Sequence, residues 1–252
     1  MIKNRTWTAA LIVIGDEILS GRTQDRNVAQ VASWLNVQGI RLSEVRMVAD
    51  VEAHIVAAVN ALSATNDYLF TTGGIGPTHD DITVDAIAAA LGVEVVVHSG
   101  ARDMLERYYE NRGGLNAARL RMARVPAGAE LIPNRMSGAP GIRTGNLYLL
   151  AGVPHIAAGM LDALTGTLEG GRPVVSVTVG AMAPESEVVD LLRETERMND
   201  GVSIGSYPFF REGKIGANFV VRSEEAEQAQ AVADLLAASL ESAGYPAVPG
   251  GI

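Results

Sequence analysis

The chain has 252 residues, enough for one large domain or for a medium domain followed by a small one. Hydrophobic residues make up 48% of it and charged residues 19%, which is ordinary for a globular protein and excludes intrinsic disorder. The net charge of −9 argues against nucleic acid or an anionic membrane as the primary partner, and the lack of cysteine excludes disulfides and thiol catalysis.

The first apolar run, AALIVIG, is too short for a signal peptide, and Asp16 and Glu17 follow it directly. A buried strand fits this run better. No segment approaches the roughly 20 apolar residues that a membrane helix needs. We therefore expect a cytoplasmic protein that does not act at a membrane.

Strand and helix patterns alternate along the first two-thirds of the chain. The apolar, β-branched run at 9–15 is typical of a strand buried on both faces, and the run at 26–39 has helical periodicity and ends on glycine. The predicted strands are 9–15, 42–48, 67–73, 93–98 and 146–152, and the predicted helices are 26–39, 51–64, 81–92, 101–112, 115–123 and 154–164. This alternation predicts a three-layer α/β/α sandwich with a mostly parallel sheet.

Glycine and proline cluster at 168–173, in LEGGRP, and this cluster predicts a domain boundary. The pattern beyond it has the order βαββα. The predicted strands there are 174–180, 202–208 and 214–223, and the predicted helices are 184–198 and 224–244. We therefore predict an α/β domain at 1–170 and a small α+β domain at 174–246.

The turn TTGGIGPTHDDIT, Thr71–Thr83, follows a predicted strand. In sheets of this kind, ligands bind outside the carboxyl ends of the strands. Gly73, Gly74 and Gly76 allow a ligand to approach the backbone closely. The amino terminus of the 81–92 helix would add unpaired N–H groups and the positive end of a helix dipole. The pattern therefore predicts a phosphate or other anion site.

Two adjacent aspartates in this turn have two interpretations. Asp80 or Asp81 can be a helix-capping acid stabilised by the dipole. Alternatively, one caps while the other holds a divalent cation or activates water next to a phosphate. Thr78 or Thr83 would add a hydroxyl to the phosphate, and His79 would face the ligand or fill the turn.

A second acidic pair, Asp16 and Glu17, follows the first predicted strand. Carboxylates at the end of a buried strand are costly unless something compensates them, which makes this pair a candidate site. Asp25 and Asn27 lie at the start of the next helix, as caps or as ligand contacts. Asp50 is predicted to cap the helix that follows the second strand.

Two further glycine–proline loops are able to present backbone N–H groups to a ligand. The first is MSGAPGIR at 136–143, and the second is LAGVPH at 150–155, a strand-to-helix turn. The candidate contacts in these loops are Ser137, Gly138, Pro140, Gly141, Gly152 and Pro154. The presence of several such loops in one predicted domain strengthens the prediction of a ligand site.

The motifs at 15–27 (GDEIL…G…N), 71–83, 137–142 (SGAPGI) and 151–154 (AGVP) together resemble the N-terminal domain of the CinA family, competence/damage-inducible protein A. That domain is related to the molybdopterin-binding proteins MoaB and Mog. The resemblance covers about residues 8–165, and the segment after residue 173 resembles the small domain that follows in CinA proteins. Long CinA proteins carry a further deamidase domain, which we expect this chain to lack.

The resemblance implies a molybdopterin-binding type of fold and a reaction at a diphosphate. Related domains cleave ADP-ribose with a divalent metal such as Co²⁺ or Mg²⁺ and are stimulated by K⁺, and a similar domain of eukaryotic FAD synthases is linked to FAD hydrolysis. MoaB and Mog proteins instead bind and adenylylate molybdopterin. The expected partner is therefore a nucleotide or a pterin, and relatives imply a homo-oligomer, either a dimer or a trimer.

The resemblance also implies roles for the residues of the glycine turn. The backbone N–H groups of Gly74, Ile75 and Gly76 would hold the diphosphate together with Thr78. Asp80 or Asp81 would bind the metal or position the attacking water.

The same comparison places Asp16 and Glu17 at the pocket as a second acidic group, with the loop 138–141 closing over the ligand. A metal-dependent pyrophosphatase acting on ADP-ribose or a related dinucleotide is the leading hypothesis. A protein of molybdenum cofactor assembly and a non-catalytic nucleotide-binding module are the alternatives.

Overall fold

The computed structural model describes residues 5–211 and 213–252. Residues 1–4 of the predicted first domain, and residue 212 between the last two predicted strands, lie outside the described residues. Contacts divide the chain into a first unit that ends at Gly171 and a second that begins at Arg172. Gly171 belongs to the first unit because its N–H donates to the Gly39 carbonyl at 3.0 Å.

The first unit alternates strands and helices, as the sequence predicts. Its strands are β1 (Trp7–Ile14), β2 (Ile40–Val48), β3 (Tyr68–Thr72), β4 (Val95–Val97), β5 (Arg124–Pro126), β6 (Glu130–Ile132), β7 (Gly141–Thr144) and β8 (Leu147–Leu150). Its helices are α1 (Asp16–Leu19), α2 (Asn27–Val37), α3 (Glu52–Ser63), α4 (Thr83–Leu91), α5 (Ser99–Tyr109), α6 (Ala117–Leu120) and α7 (Pro154–Leu164), with a 3-10 helix at Arg121–Ala123.

The main sheet of this unit has the order β2-β1-β3-β8-β7-β6. The pairs β1/β2, β1/β3 and β3/β8 are parallel, whereas β8/β7 and β7/β6 are antiparallel. This confirms the predicted mostly parallel sheet. Since β2, β1, β3 and β8 run in one direction, their carboxyl ends lie at one edge of the sheet, and the loops that follow them meet there.

The side chains of β1 show why the unit has three layers. Ala10 and Ile12 are buried against residues of α3 and α4, whereas Leu11 and Val13 are buried against residues of α2 and α7. Successive strand residues point to opposite faces, so a strand that is apolar at every position needs helices on both sides. The continuous apolar run of β1 therefore accounts for the α/β/α arrangement.

The segment 115–145 departs from the sequence prediction. The helix predicted at 115–123 is replaced by α6 and the 3-10 helix, because the Asn116 side chain accepts from the Arg119 N–H and begins α6 at Ala117. The strands β5, β6 and β7 were not predicted. They are three or four residues long, too short to show a strand period, and tertiary pairing decides their conformation.

The second unit is a four-stranded antiparallel sheet with helices. Its elements are β9 (Val175–Ala181), α8 (Glu185–Arg197), β10 (Val202–Arg211), β11 (Lys214–Ser223), α9 (Ala226–Ser242) and β12 (Ala247–Pro249). The strand order is β10-β11-β9-β12. Side chains of α8 and α9 share one buried cluster with the sheet. The α+β character is as predicted, but the predicted end at 246 omits β12, which pairs with β9.

Within residues 5–211 and 213–252, no helix is long and apolar enough to cross a membrane.

Two neighbouring leucines of α9 allow a matched test of the second core. Leu236 is fully buried, whereas Leu235 is 51% exposed. We expect Leu236→Ala to lower the free energy of unfolding by about 2–5 kcal/mol, because it leaves a cavity. Leu235→Ala should cost less than about 1 kcal/mol. Urea denaturation measures both, and equal losses would contradict the packing described for α9.

Candidate active site

A pocket of about 830 Å³ lies at the carboxyl edge of the main sheet. Its walls include Ile14 at the end of β1, Gly73 after β3 and Ala151 after β8. The segment 137–140 also reaches it, because β7 is antiparallel to β8 and begins where β8 ends. A pocket of this size accommodates a ligand as large as a nucleotide.

The sequence-predicted site residues divide into two groups. Those that line the pocket are Glu17, Gly73, Gly74, Ile75, Gly76, Asp80, Asp81, Ser137, Pro140, Gly152 and Pro154. Those that do not are Asp16, Asn27, Thr78, Thr83, Gly138 and Gly141. Several residues of the second group contact residues of the first, since Thr83 binds Gly73, Thr78 binds Asp81 and Asn27 binds Gly152.

Thr83 fastens the glycine loop to the start of α4. Its side chain is fully buried, its hydroxyl donates to the Gly73 carbonyl at 2.9 Å, and its N–H donates to the Gly74 carbonyl at 3.0 Å. The predicted contact between Thr83 and a phosphate is therefore wrong. The first N–H of α4 is also occupied, so the helix terminus does not offer that group to an anion.

The loop itself supplies the unpaired donors instead. In the described part of the chain, the backbone N–H groups of Gly74, Ile75 and Gly76 donate to no protein acceptor. All three residues line the pocket. Backbone N–H groups left unpaired at a pocket wall are suited to bind phosphate oxygens.

The adjacent aspartates play different parts. Asp81 Oδ2 accepts from the N–H of Thr78 at 2.7 Å and from its hydroxyl at 2.5 Å, which closes the loop on itself. Asp80 is exposed, and the nearby Thr78 hydroxyl, followed by its own backbone N–H, lowers the pKa of its carboxyl. Neither caps α4, which begins at Thr83 with no side-chain cap. The predicted capping role is thus wrong.

A second acidic wall comes from the ends of β1 and β2. The Asp16 N–H donates to Asp50 Oδ2 at 2.9 Å, and the Asp50 N–H donates to Asp16 Oδ1 at 3.3 Å. Glu17 and Asp50 line the pocket. Burial raises the pKa of the Asp50 carboxyl, and the charges of Asp16, Glu17 and Asp80 raise it further.

The sequence predicted only that Asp50 caps the helix after β2. The structure shows that α3 begins after Val51 without a side-chain cap, while the Asp50 carboxylate binds Asp16. A signal was present in the sequence. Asp50 follows strand β2 as Asp16 follows β1, and neighbouring parallel strands bring such residues to the same edge.

Asn27 acts on the pocket through Gly152. It is buried, and its Nδ2 donates to the Gly152 carbonyl at 2.7 Å, which ties the start of α2 to the loop after β8. Its Oδ1 has no partner among the described residues. Asp25 caps α2, as one interpretation of the sequence predicted, because its Oδ1 accepts from the Val28 N–H at 2.9 Å.

The loop 137–141 is held in place by its packing on Tyr108 and by its continuation into strand β7. Gly138 packs so closely on Tyr108 that an added Cβ would lie 2.3 Å from the ring, and Gly141 is buried in β7. Neither glycine is among the residues that line the pocket, so their contact with a ligand stays a prediction. Ser137 and Pro140 of the same loop do line the pocket.

Apolar residues form a further part of the pocket wall, and those outside the predicted loop 138–141 were not predicted. The apolar residues of this wall are Tyr109, Met122, Ala139, Pro140, Ile156 and Met160. The Arg119 guanidinium lies 4.1 Å from the centre of the Tyr109 ring. Such a wall suits the ring system of a nucleotide or pterin. The sequence did not indicate Tyr109 and Met122 as pocket residues. They lie in predicted amphipathic helices, where apolar side chains are expected to face the hydrophobic core.

The carboxylate oxygens at the pocket are suited to coordinate a hard divalent cation. The phosphates of a bound ligand would complete the coordination of that cation. Glu17, Asp50, Asp80 and Asp81 supply only oxygen atoms, which Mg²⁺ prefers. In residues 5–211 and 213–252, no group of three or more acidic or histidine side chains surrounds a common point. Mg²⁺ is commonly bound by one or two carboxylates, water and ligand phosphates, so the residues fit such a site.

Gly74 and Gly92 allow a matched test of the loop. Both have positive φ, 65° and 67°, but a Cβ added at Gly74 would lie 2.1 Å from Thr83 Oγ1, whereas nothing lies within 4 Å at Gly92. We expect Gly92→Ala to cost about 1–2 kcal/mol and Gly74→Ala about 1–3 kcal/mol more, because of the added overlap. Urea denaturation of both variants measures the difference, and equal costs would contradict the described packing.

The raised pKa of the Asp50 carboxyl predicts that the stability of the fold depends on pH. Its raised pKa means that the folded chain favours the protonated carboxyl, so ionisation of Asp50 opposes folding as the pH rises above the ordinary value of 3.8. Asp50→Asn keeps an oxygen for the Asp16 N–H. We expect its stability relative to the unmodified chain to increase between pH 3 and pH 7, measured by urea denaturation. A difference that stays constant or decreases would contradict the pKa shift.

Comparison with known proteins shows the family of the chain. Residues 10–170 match the family described as probable molybdopterin binding domain, and residues 173–247 match the family described as FAD synthase, middle domain. A protein of Aeropyrum pernix is 34% identical over 91% of this chain and 89% of its own length. A CinA-like protein of Citrifermentans bemidjiense is 37% identical over 73% of this chain and 46% of its own length.

A solved structure shares the fold of the first unit. The crystal structure of the protein CinA of Thermoplasma acidophilum, described as of unknown function, matches with a TM-score of 0.59 and 31% identity. The match covers 63% of this chain and 96% of that one. The chain therefore belongs to the family of probable molybdopterin-binding domains, and it is a CinA-like member of that family.

Proposed function

We propose that the first unit is a metal-dependent pyrophosphatase that cleaves the diphosphate of a dinucleotide such as ADP-ribose. One observation carries the proposal: unpaired backbone N–H groups, several carboxylates and a set of apolar residues line the same pocket. A ring system next to a diphosphate matches this combination. The apolar wall would hold the ring, and the glycine loop would hold a phosphate.

The N–H groups of Gly74, Ile75 and Gly76 would bind the non-bridging oxygens of one phosphate. Their positions are fixed in advance, because Thr83 and Asp81 hold the loop at both ends. Donors that need no rearrangement stabilise the charge that develops on phosphoryl oxygens during the reaction.

The reaction adds water to one phosphorus and breaks its bond to the bridging oxygen. From ADP-ribose the products are AMP and ribose 5-phosphate, and the water proton passes to a carboxylate. Asp50 is suited to accept it, since it lines the pocket and its pKa is raised, which makes it a stronger base than an ordinary aspartate.

A divalent ion fits the exposed Asp80, with Asp81 beside it. Bound there together with the diphosphate, Mg²⁺ or Co²⁺ would act as a Lewis acid and shield charge between the phosphates and the acids. K⁺ would be a second cation. Asp80 has no ion-pair partner among the described residues, so its carboxylate is available.

A second candidate function is the binding or adenylylation of a pterin. The match of residues 10–170 to probable molybdopterin binding domains favours it. The same loop would then hold a pterin phosphate, and the acids would support transfer to that phosphate and not to water. FAD is a further candidate substrate, because residues 173–247 match a domain of FAD synthase.

Turnover with and without metal tests the proposal. The purified protein is incubated with ADP-ribose, FAD or NADH, with Mg²⁺ or Co²⁺ and with or without K⁺, and AMP is measured by chromatography. We expect AMP only with a divalent metal. Asp80→Asn should lower kcat/KM about 100-fold or more, because a direct contact to the metal or water is lost.

Two further variants separate chemistry from folding. Asp81→Asn keeps an oxygen for Thr78 and should also lose activity while remaining folded by circular dichroism. Asp103→Asn, exposed on α5 and outside the pocket, should retain full activity. Metal-independent AMP, or unchanged rates in the Asp80 and Asp81 variants, would overturn the hydrolase proposal. No AMP together with binding of a pterin would favour the second candidate.

A further inference from the structure

The charge of the pocket is opposite to what a diphosphate ligand requires. Among the residues that line it, Glu17, Asp50, Asp80 and Asp81 are acidic, and Arg22 is basic. A diphosphate brings two more negative charges, which like charges at close range repel. The glycine loop supplies only neutral N–H donors, so Arg22 is the positively charged side chain among the residues that line the pocket that can offset this repulsion directly.

Arg22 is brought to the pocket by a loop that the structure holds firmly. Thr23 N–H donates to the Glu17 carbonyl at 3.0 Å, and Gly21 N–H donates to the Ile18 carbonyl at 3.1 Å. The Ser20 hydroxyl also donates to the Glu17 carbonyl, at 3.3 Å. These bonds fix the segment that follows α1 relative to the end of β1.

The side chain of Arg22 makes no ion pair or hydrogen bond with the residues that the structure describes. Most other arginines of the first unit contact a carboxylate, a carbonyl or an aromatic ring; examples are Arg5, Arg121 and Arg124. In the described part of the chain, Arg22 has no ion pair and no side-chain hydrogen bond, although Glu17 and other acids line the same pocket. An exposed, unpaired guanidinium at a pocket is free to bind an anion in a bidentate manner.

We infer that Arg22 binds the second phosphate of the ligand, the one that the glycine loop does not hold, and so makes the pocket select diphosphates over monophosphates. This rests on the phosphate site of the proposed function but not on hydrolysis. With one phosphate on the Gly74–Gly76 N–H groups, a monophosphate has no group left for Arg22. A diphosphate does, and only its affinity depends on the guanidinium.

Calorimetry with two probes tests this. AMP carries one phosphate, and α,β-methylene ADP carries two with a bridge that water does not cleave, so binding is measured in the presence of Mg²⁺ without turnover. We expect the unmodified protein to bind α,β-methylene ADP more tightly than AMP. Arg22→Gln should weaken α,β-methylene ADP about tenfold and AMP less than about threefold, since only the former loses a charge-assisted contact.

Two controls accompany this comparison. Arg26→Gln removes the same charge from an exposed position four residues away that does not line the pocket, and it should leave both affinities unchanged within about twofold. Arg22→Lys keeps the charge without the planar fork and should restore part of the affinity for the diphosphate.

The outcomes separate this inference from the proposed hydrolysis. Equal weakening of both probes by Arg22→Gln, an equal effect of Arg26→Gln, or no binding of either probe would overturn the role of Arg22. Selective weakening of α,β-methylene ADP in a protein that releases no AMP from ADP-ribose would support Arg22 and refute hydrolysis. Metal-dependent turnover with a KM unchanged in Arg22→Gln would support hydrolysis and refute the role of Arg22.

Discussion

The buried contact between Thr83 and the glycine loop is the constraint on which the pocket depends. The Thr83 hydroxyl donates to the Gly73 carbonyl, and the Thr83 N–H donates to the Gly74 carbonyl. Those carbonyls would otherwise compete for the loop N–H groups or repel an anion. Because these carbonyls are bonded to Thr83, the N–H groups of the loop remain without acceptors at the pocket wall. Glycine is required at position 74 because a side chain there would occupy the space of the threonine.

The acidic residues are compatible with one another because most are engaged by hydrogen-bond donors. Asp81 accepts two bonds from Thr78, and Asp16 and Asp50 accept from each other's backbone N–H groups. Such bonds stabilise ionised carboxylates and offset part of the repulsion. The paired aspartates of the turn are thus not equivalent. Asp81 closes the loop, and Asp80 is left for a ligand or cation.

The layered fold and the main pocket loops were predictable from the sequence, because strands buried on both faces are apolar throughout and glycine turns follow them. The roles of single polar residues were less predictable. Thr83 and Asn27 have the same short polar character whether they face a ligand or a buried carbonyl. Asp50 fits a helix cap and a pocket wall equally well in sequence. Arg22 and Tyr109 meet at the pocket only through tertiary folding, which leaves no local pattern.

The separate hydrophobic clusters of the two units have a consequence for cooperativity. The main sheet is buried by α2, α3, α4 and α7, and the second sheet by α8 and α9, and among the described residues no buried residue is shared between the clusters of the two units. We expect such a chain to unfold in more than one transition, as multi-domain proteins often do, so that a single midpoint would not describe it. Every residue that lines the pocket belongs to the first unit. If the units melt separately, we expect a ligand bound there to raise the melting transition of the first unit, so that calorimetric scanning assigns binding to a unit without any knowledge of the reaction.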